Sequence, residues 1–414
     1  MTHPADLSAT EALQRIAAGR LTADALWEAC QERIAAREPV VRAFTTCAGA
    51  MPGPSRGPLG GLPVGVKDVL DTADLASEYG SPIWAGHRPR ADAFAVSRTR
   101  SAGGRVIGKT VTTEFATRQP GPTSNPHDAG RTPGGSSSGS AAGVAAGFFP
   151  LAFGTQTAGS VLRPAAYCGI AGFKPSFGLI HRAGMKVMSE SLDTIGVFGR
   201  GAADCALFAG VLTGQDFSGL AETAPRVALC FGPAEERLSP ETRALLEQTA
   251  RRLAAAGARV TGIALPAPLL AANEAHPTVM QGETLQSLAW ERAHHRDRIS
   301  AVLNERLDWA ETLPAAALAE ARAAFATGRA AFADLMADHD VLLTASAPGE
   351  APQGLASTGE PACNALWTAL HGPCISLDAG RGPVGMPLGI QLVAPSGADA
   401  ALLAWARWIE ARLS

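Results

Sequence analysis

Over the first fifty residues, apolar positions recur with a helical period. Ser8 and Glu11 form a capping box ahead of Leu13 and Ile16, and Gly19 closes that segment. Thr22 opens a second periodic stretch through Leu26, Cys30 and Ile34. The Pro/Gly-rich run 52–61 predicts a loop. From Leu62 to Asp68 the pattern changes to a short continuous apolar run, which predicts a buried strand carrying Lys67 at its end. Residues 93–102 predict a helix and 105–107 a strand. Further on, 226–231 is β-like, and Ser239-Pro240-Glu241 is a helix start with proline at the first helical position. Leu245, Leu246, Thr249 and Leu253 line one face of that helix, Gly257 closes it, and 258–265 is β-like again: a βαβ unit. Buried strands are predicted at 341–344 and 388–393. Asp399 opens a last helix through Leu402, Trp405 and Ile409.

Strands alternating with helices predict an α/β fold. No repeat or long linker divides the chain, so one domain is expected over 1–414. It would comprise N-terminal helices (1–50), a dense core (57–200) and a remainder (201–414). Within the remainder, 266–335 reads as a helical segment whose Trp290 and Trp309 are open to roles in core, lid or dimer contact.

Composition narrows the classes. Of 414 residues 46% are hydrophobic and 18% charged, below the roughly 25% charged content of an average domain, so a large core is expected and disorder is not. Lys+Arg 35 against Asp+Glu 38 leaves no basic excess to displace counterions, which argues against a nucleic-acid partner. The charge-free stretch between Arg131 and Arg163 could span a bilayer by length. Gly134, Gly135, three serines and Pro150 break it, so no membrane helix is expected. Met1-Thr2-His3-Pro4 lacks the basic and apolar runs of a leader. Seven scattered cysteines and nine histidines without HExxH spacing indicate neither a disulfide framework nor a zinc site. The expectation is a reduced, cytoplasmic protein with no metal or other cofactor, and with monomer and homodimer both open.

Two short motifs fail on context. Gly103 to Thr110 matches GxxxxGK[ST] letter for letter, but a phosphate loop needs a strand before the first glycine and a helix after the lysine. Here a helix precedes, a strand fills the middle, and Val111-Thr112-Thr113 is poor helix material. Gly135-Ser136-Ser137-Ser138-Gly139 fits GxSxG, yet no buried strand leads into it and no downstream histidine stands out as a base.

What remains is a pair of serines on two glycine-rich turns in an uncharged region: Gly134-Gly135-Ser136 before a small-residue helix over 141–149, and Thr157-Ala158-Gly159-Ser160 before Val161-Leu162-Arg163-Pro164. Close backbone approach in a dry site is the chemistry such turns suit.

Here the chain resembles the amidase signature hydrolases, over 61–68, 102–116, 134–175, 340–352 and 372–395. The resemblance implies a single-domain fold with a mixed twisted sheet covered by helices on both faces. It implies a Ser–cis-Ser–Lys triad, with Ser160 as nucleophile, Ser136 as bridging serine and Lys67 as base. It also implies an oxyanion site on the turn Thr157, Ala158, Gly159 and Ser160, with Gly135, Thr155, Gln156 and Arg163 toward the substrate. Such a lysine must lose its proton near neutrality, which burial among Val64, Val66, Val69 and Leu70 would favour. Two departures stand out. Gln156 and Ala158 replace the family's usual aspartate and glycine, and Ala158 would be strained if its φ were positive. The usual arginine, two residues past the nucleophile, is exchanged with its neighbour: Leu162 stands there and Arg163 follows. This arrangement resembles the malonamidase-type branch and implies capture of a carboxylate on a small half-amide. Alternatives are a neutral-amide or carbamate amidase in which Arg163 pairs with an acidic residue, an amidotransferase A-type subunit, and a silent binding protein.

Overall fold

The computed structural model describes residues 2–48, 53 and 56–413; of the loop expected over 52–61, residues 52, 54 and 55 lie outside them. Eleven strands among the described residues form one mixed sheet. They are Phe44–Cys47 (β1), Pro63–Lys67 (β2), Arg105–Thr110 (β3), Leu151–Gln156 (β4), Ala171–Lys174 (β5), Thr194–Gly199 (β6), Arg226–Leu229 (β7), Arg259–Gly262 (β8), Val341–Ala345 (β9), Cys374–Arg381 (β10) and Pro387–Val393 (β11). Their order is β1-β3-β2-β4-β6-β5-β10-β11-β9-β7-β8, with helices on both faces. β2 runs parallel to both β3 and β4, and β7 parallel to both β8 and β9; the other pairings are antiparallel. The βαβ unit read at 226–265 is real, with helix Pro240–Ala255 as its crossover and Ser239 Oγ accepting the N–H of Thr242.

The N-terminal helices form as their caps demand. Ser8 Oγ accepts the N–H of Glu11 before helix Ala9–Ala17, and Thr22 Oγ1 accepts that of Ala25 before helix Ala23–Val41. The first fifty residues nevertheless also hold a short 3-10 turn, Pro4–Asp6, and the strand β1, which pairs at the sheet edge and has only four residues to show a period. The strand expected at 105–107 continues to Thr110, and the one expected at 258–265 stops at Gly262.

Every residue of β2, β3, β4 and β6 is buried. Helix Ser138–Ala146, three residues earlier than expected, packs on this part of the sheet because its residues are small. A Cβ at Gly143 would lie 2.2 Å from the Phe149 ring, so only glycine lets that ring fill the space between helix and β2. In 266–335, helices Ala267–Ser287, Ala289–His295, Ala301–Glu311 and Ala317–Leu335 form a cap. Trp290 and Trp309 are 50% and 43% exposed, which removes core from their open roles. No helix among the described residues is long and apolar enough to cross a membrane.

Candidate active site

Parallel pairing of β2 and β4 brings their C-terminal ends to one edge of the sheet, where crevices open in α/β folds. Lys67, the last residue of β2, therefore meets Thr155 near the end of β4. Its Nζ donates to Thr155 Oγ1 at 2.7 Å and to Ser136 Oγ at 2.7 Å. The Gly135–Ser136 peptide is cis. Lys67 is fully buried, and no carboxylate lies within ion-pair distance of it among the described residues. Burial pulls its pKa down to about 7, against a weaker upward pull from Asp193. Asp68, its sequence neighbour, is instead paired with Lys109 at 2.9 Å.

β4 ends at Gln156 and the chain turns through Thr157–Ser160 into helix Leu162–Cys168. The N–H groups of Ala158, Gly159 and Ser160 make no hydrogen bond to the rest of the described chain, as an oxyanion site requires. Ala158 does not have positive φ, so its methyl group brings no backbone strain. Gly159 is needed for space, since a Cβ there would lie 2.4 Å from Asn364 Oδ1. Around the turn, Thr157 Oγ1 donates to Asp193 at 2.5 Å and His276 Nε2 donates to the Thr157 carbonyl at 3.0 Å. Burial holds His276 down to about 4, which keeps it neutral, and pushes the Asp193 carboxyl up.

The expected residues divide by position. Lys67, Ser136 and Thr155 share hydrogen bonds, whereas Ser160, Thr157, Ala158 and Arg163 line one cleft. Gln156 does not face that cleft. Its Oε1 accepts the N–H groups of Val161 and Leu162 at 2.8 and 3.1 Å, and its Nε2 donates to Thr368. It fastens the first turn of the next helix, as an aspartate could, with one donor added. Thr155 supports the lysine rather than facing the cleft, and Gly135 offers its carbonyl to Arg163. Ser137, the serine of the rejected GxSxG motif, is tied to the backbone of Thr155.

Arg163 pairs with no acidic residue among the described residues. Nε donates to the Thr358 carbonyl at 2.8 Å and Nη2 to that of Gly135 at 2.6 Å, while the buried Nη1 has no partner. Leu162 is packed in the core. Sequence reading missed Asp193, His276 and the cleft residues Met280, Gln281 and Arg306. Most of these come from the helical cap, where nothing but tertiary packing marks them. A larger groove bordered by Arg98, Phe217 and Arg407 shares no residue with the cleft.

The amidase family model matches residues 11–403. The chain belongs to the amidase family. It is 33% identical to the 2-amino-5-chloromuconic acid deaminase of Comamonas testosteroni, over 98% of this chain and 96% of that protein. It is 41% identical to the A-type subunit of the glutamyl-tRNA(Gln) amidotransferase of Rhodopirellula baltica, but over 50% of this chain and 46% of that protein; in that match the chain spans about half the relative's length. A solved amidase structure superimposes with a TM-score of 0.90 at 28% identity, over 99% of this chain and 100% of the other. The amidase fold expected from the sequence is thus the fold observed.

Proposed function

We propose that this amidase-family chain hydrolyses the C–N bond of a small, carboxylate-bearing amide through an acyl-serine. The observation that carries the reading is Lys67, which is buried, donates to two hydroxyls, lacks a carboxylate partner and is held to about 7. At neutral pH such a lysine is in large part a neutral amine, hence a base. Ser160 Oγ attacks the amide carbon; its proton passes to Ser136 Oγ as the Ser136 proton passes to Lys67 Nζ. The carbonyl electron pair moves onto oxygen, where the N–H groups of the 157–160 turn meet it. When the pair returns, the C–N bond breaks and the leaving nitrogen takes a proton from Ser136, which Lys67 replaces. Water then attacks the acyl-serine by the same relay, releasing the acid and restoring Ser160. No metal or organic cofactor enters these steps.

Arg163 supports the acidic substrate, because it lines the cleft, Nε and Nη2 hold the guanidinium in place, and the buried Nη1 has no partner. The full-length likeness to a deaminase named for an acid agrees with this. The test is a panel of amides scored for ammonia release. Half-amides such as malonamate should be favoured over neutral amides of the same shape. Arg163→Ala should erode that preference by an amount equivalent to about 2–5 kcal/mol. Equal losses on both classes would make Arg163 a support for the loop. A fluorophosphonate should add to Ser160; an adduct on Ser137 would overturn the assignment. The half-length likeness to an amidotransferase component favours a second reading, in which the ammonia passes to a partner. Turnover of half-amides by the isolated chain at full rate would exclude it.

A further inference from the structure

Three arginines, 163, 118 and 306, line the cleft that holds Ser160, and two of them lie outside the proposed machinery. Arg118 follows the short helical turn Glu114–Ala116, and Arg306 lies on helix Ala301–Glu311, far away in sequence. Among the described residues neither side chain makes a hydrogen bond or an ion pair, and the Nε of Arg306 is buried without a partner. Unpaired arginine is not the habit of this part of the molecule. Arg292 and Arg296, on the same cap, are clamped at 2.7 and 2.9 Å by Asp308, and Arg292 also by Glu311. The carboxylate that acts on Arg118 and Arg163 is Glu360, which is already 2.8 Å from Arg237.

Neighbouring arginines act on Arg118 and on Arg163. Burial lowers the pKa of Arg118, and the charge of Arg306 lowers it further; Arg163 is pulled down to about 10, mainly by burial, with Arg118 adding to the effect. Like charges gathered in a half-dry cleft oppose each other until an anion enters. Met188 and Met280 line the same space and offer an apolar bed for a short hydrocarbon spacer between anionic groups.

We propose that Arg118 and Arg306 form a second anion subsite, so that the substrate is an amide carrying two carboxylates, one read by Arg163 and the other by this pair. The proposal rests on the amidase reading, and its test is separable from that reading because it is a binding measurement. Titration calorimetry compares tricarballylate with glutarate, acids of similar backbone that differ by one carboxylate. The wild-type protein should bind tricarballylate at least about tenfold more tightly. In Arg118→Gln or Arg306→Gln the ratio should fall to within about threefold, and Arg118→Lys should restore part of it. No preference for tricarballylate in the wild type, or a preference left intact in both glutamine variants, would overturn the subsite. Malonamate turnover, measured in parallel, tests the amidase reading alone. In the matched pair glutaramate and tricarballylate monoamide, the second should be the better substrate by kcat/KM, and equal values would count against the subsite.

Discussion

Lys67 and Lys109 lie on adjacent parallel strands, with Val66 opposite Lys109 and Lys67 opposite Thr110, and both are fully buried. They differ in partner. Lys109 reaches the Asp68 carboxylate at 2.9 Å, the Leu70 carbonyl at 2.8 Å and the Ser77 hydroxyl, and Asp68 opposes the downward pull that burial exerts on its pKa. Lys67 donates to two hydroxyls and, at 3.4 Å, to the Thr155 carbonyl, and meets no anion among the described residues. Burial alone therefore does not separate the two lysines; Lys109 has a carboxylate within reach, and Lys67 does not among the described residues. Asp68 follows Lys67 directly, yet successive side chains leave a strand on opposite sides, and so the carboxylate serves Lys109.

The largest expected effect tests the first half of this contrast. Lys67→Met should lower kcat/KM by about 10²–10⁴ while the far-ultraviolet spectrum and unfolding midpoint stay near wild type. Turnover close to normal would break the contrast, because Lys67 would then be a second structural lysine. The mirror experiment is Lys109→Met, which leaves Asp68 buried and unpaired. It should cost about 3–5 kcal/mol of stability in urea titrations, and adding Asp68→Asn should recover a good part. A stable, inactive Lys109→Met protein would assign the chemistry to the wrong lysine.

The smallest effect is in pH dependence. The proposed relay requires neutral Lys67, so kcat/KM should rise with pH through about 7 and then level off. Stability should follow the same proton. The unfolded lysine titrates near 10.4, above its folded value of about 7, and in that window the unfolded chain binds a proton that the folded chain does not. Stability due to this group therefore rises with pH, by at most about 1.4 kcal/mol per unit, and is lowest below 7. Unfolding midpoints at pH 7 and 9 should show the rise in wild type and its loss in Lys67→Met. A rise of equal size in both proteins would place the proton elsewhere.

Much of the fold was legible where a pattern had room to repeat. The N-terminal helices, β2, the crossover unit around helix Pro240–Ala255 and the last helix Asp399–Glu410 fall within a few residues of expectation. β1 and β5, with four residues each, were not read, and neither were β4, β6 and β10. Buried runs interrupted by Gly-rich turns carry no clear period, so their strand character follows from pairing with neighbours. Ser136 and Ser160 stood out through their turns and uncharged setting and Lys67 as the end of a predicted strand, while their roles came from the family resemblance. Gln156 did not betray its role, because facing the cleft and fastening a helix look the same in one dimension.

The sequence by itself determined the α/β class, the position of the lysine at a strand end, the two serine turns and the unusual Leu162-Arg163 order. These are local properties, set by periodicity, cap chemistry and the small residues that tight turns require. Only the tertiary structure decided the sheet order, the choice of Asp68 for Lys109 rather than Lys67, the free Nη1 of Arg163, and the meeting of Arg118 with Arg306 from opposite parts of the chain. The reason is physical. A side chain's charge state and availability depend on which groups share its desolvated space, and the residues that share it here lie tens to hundreds of positions apart.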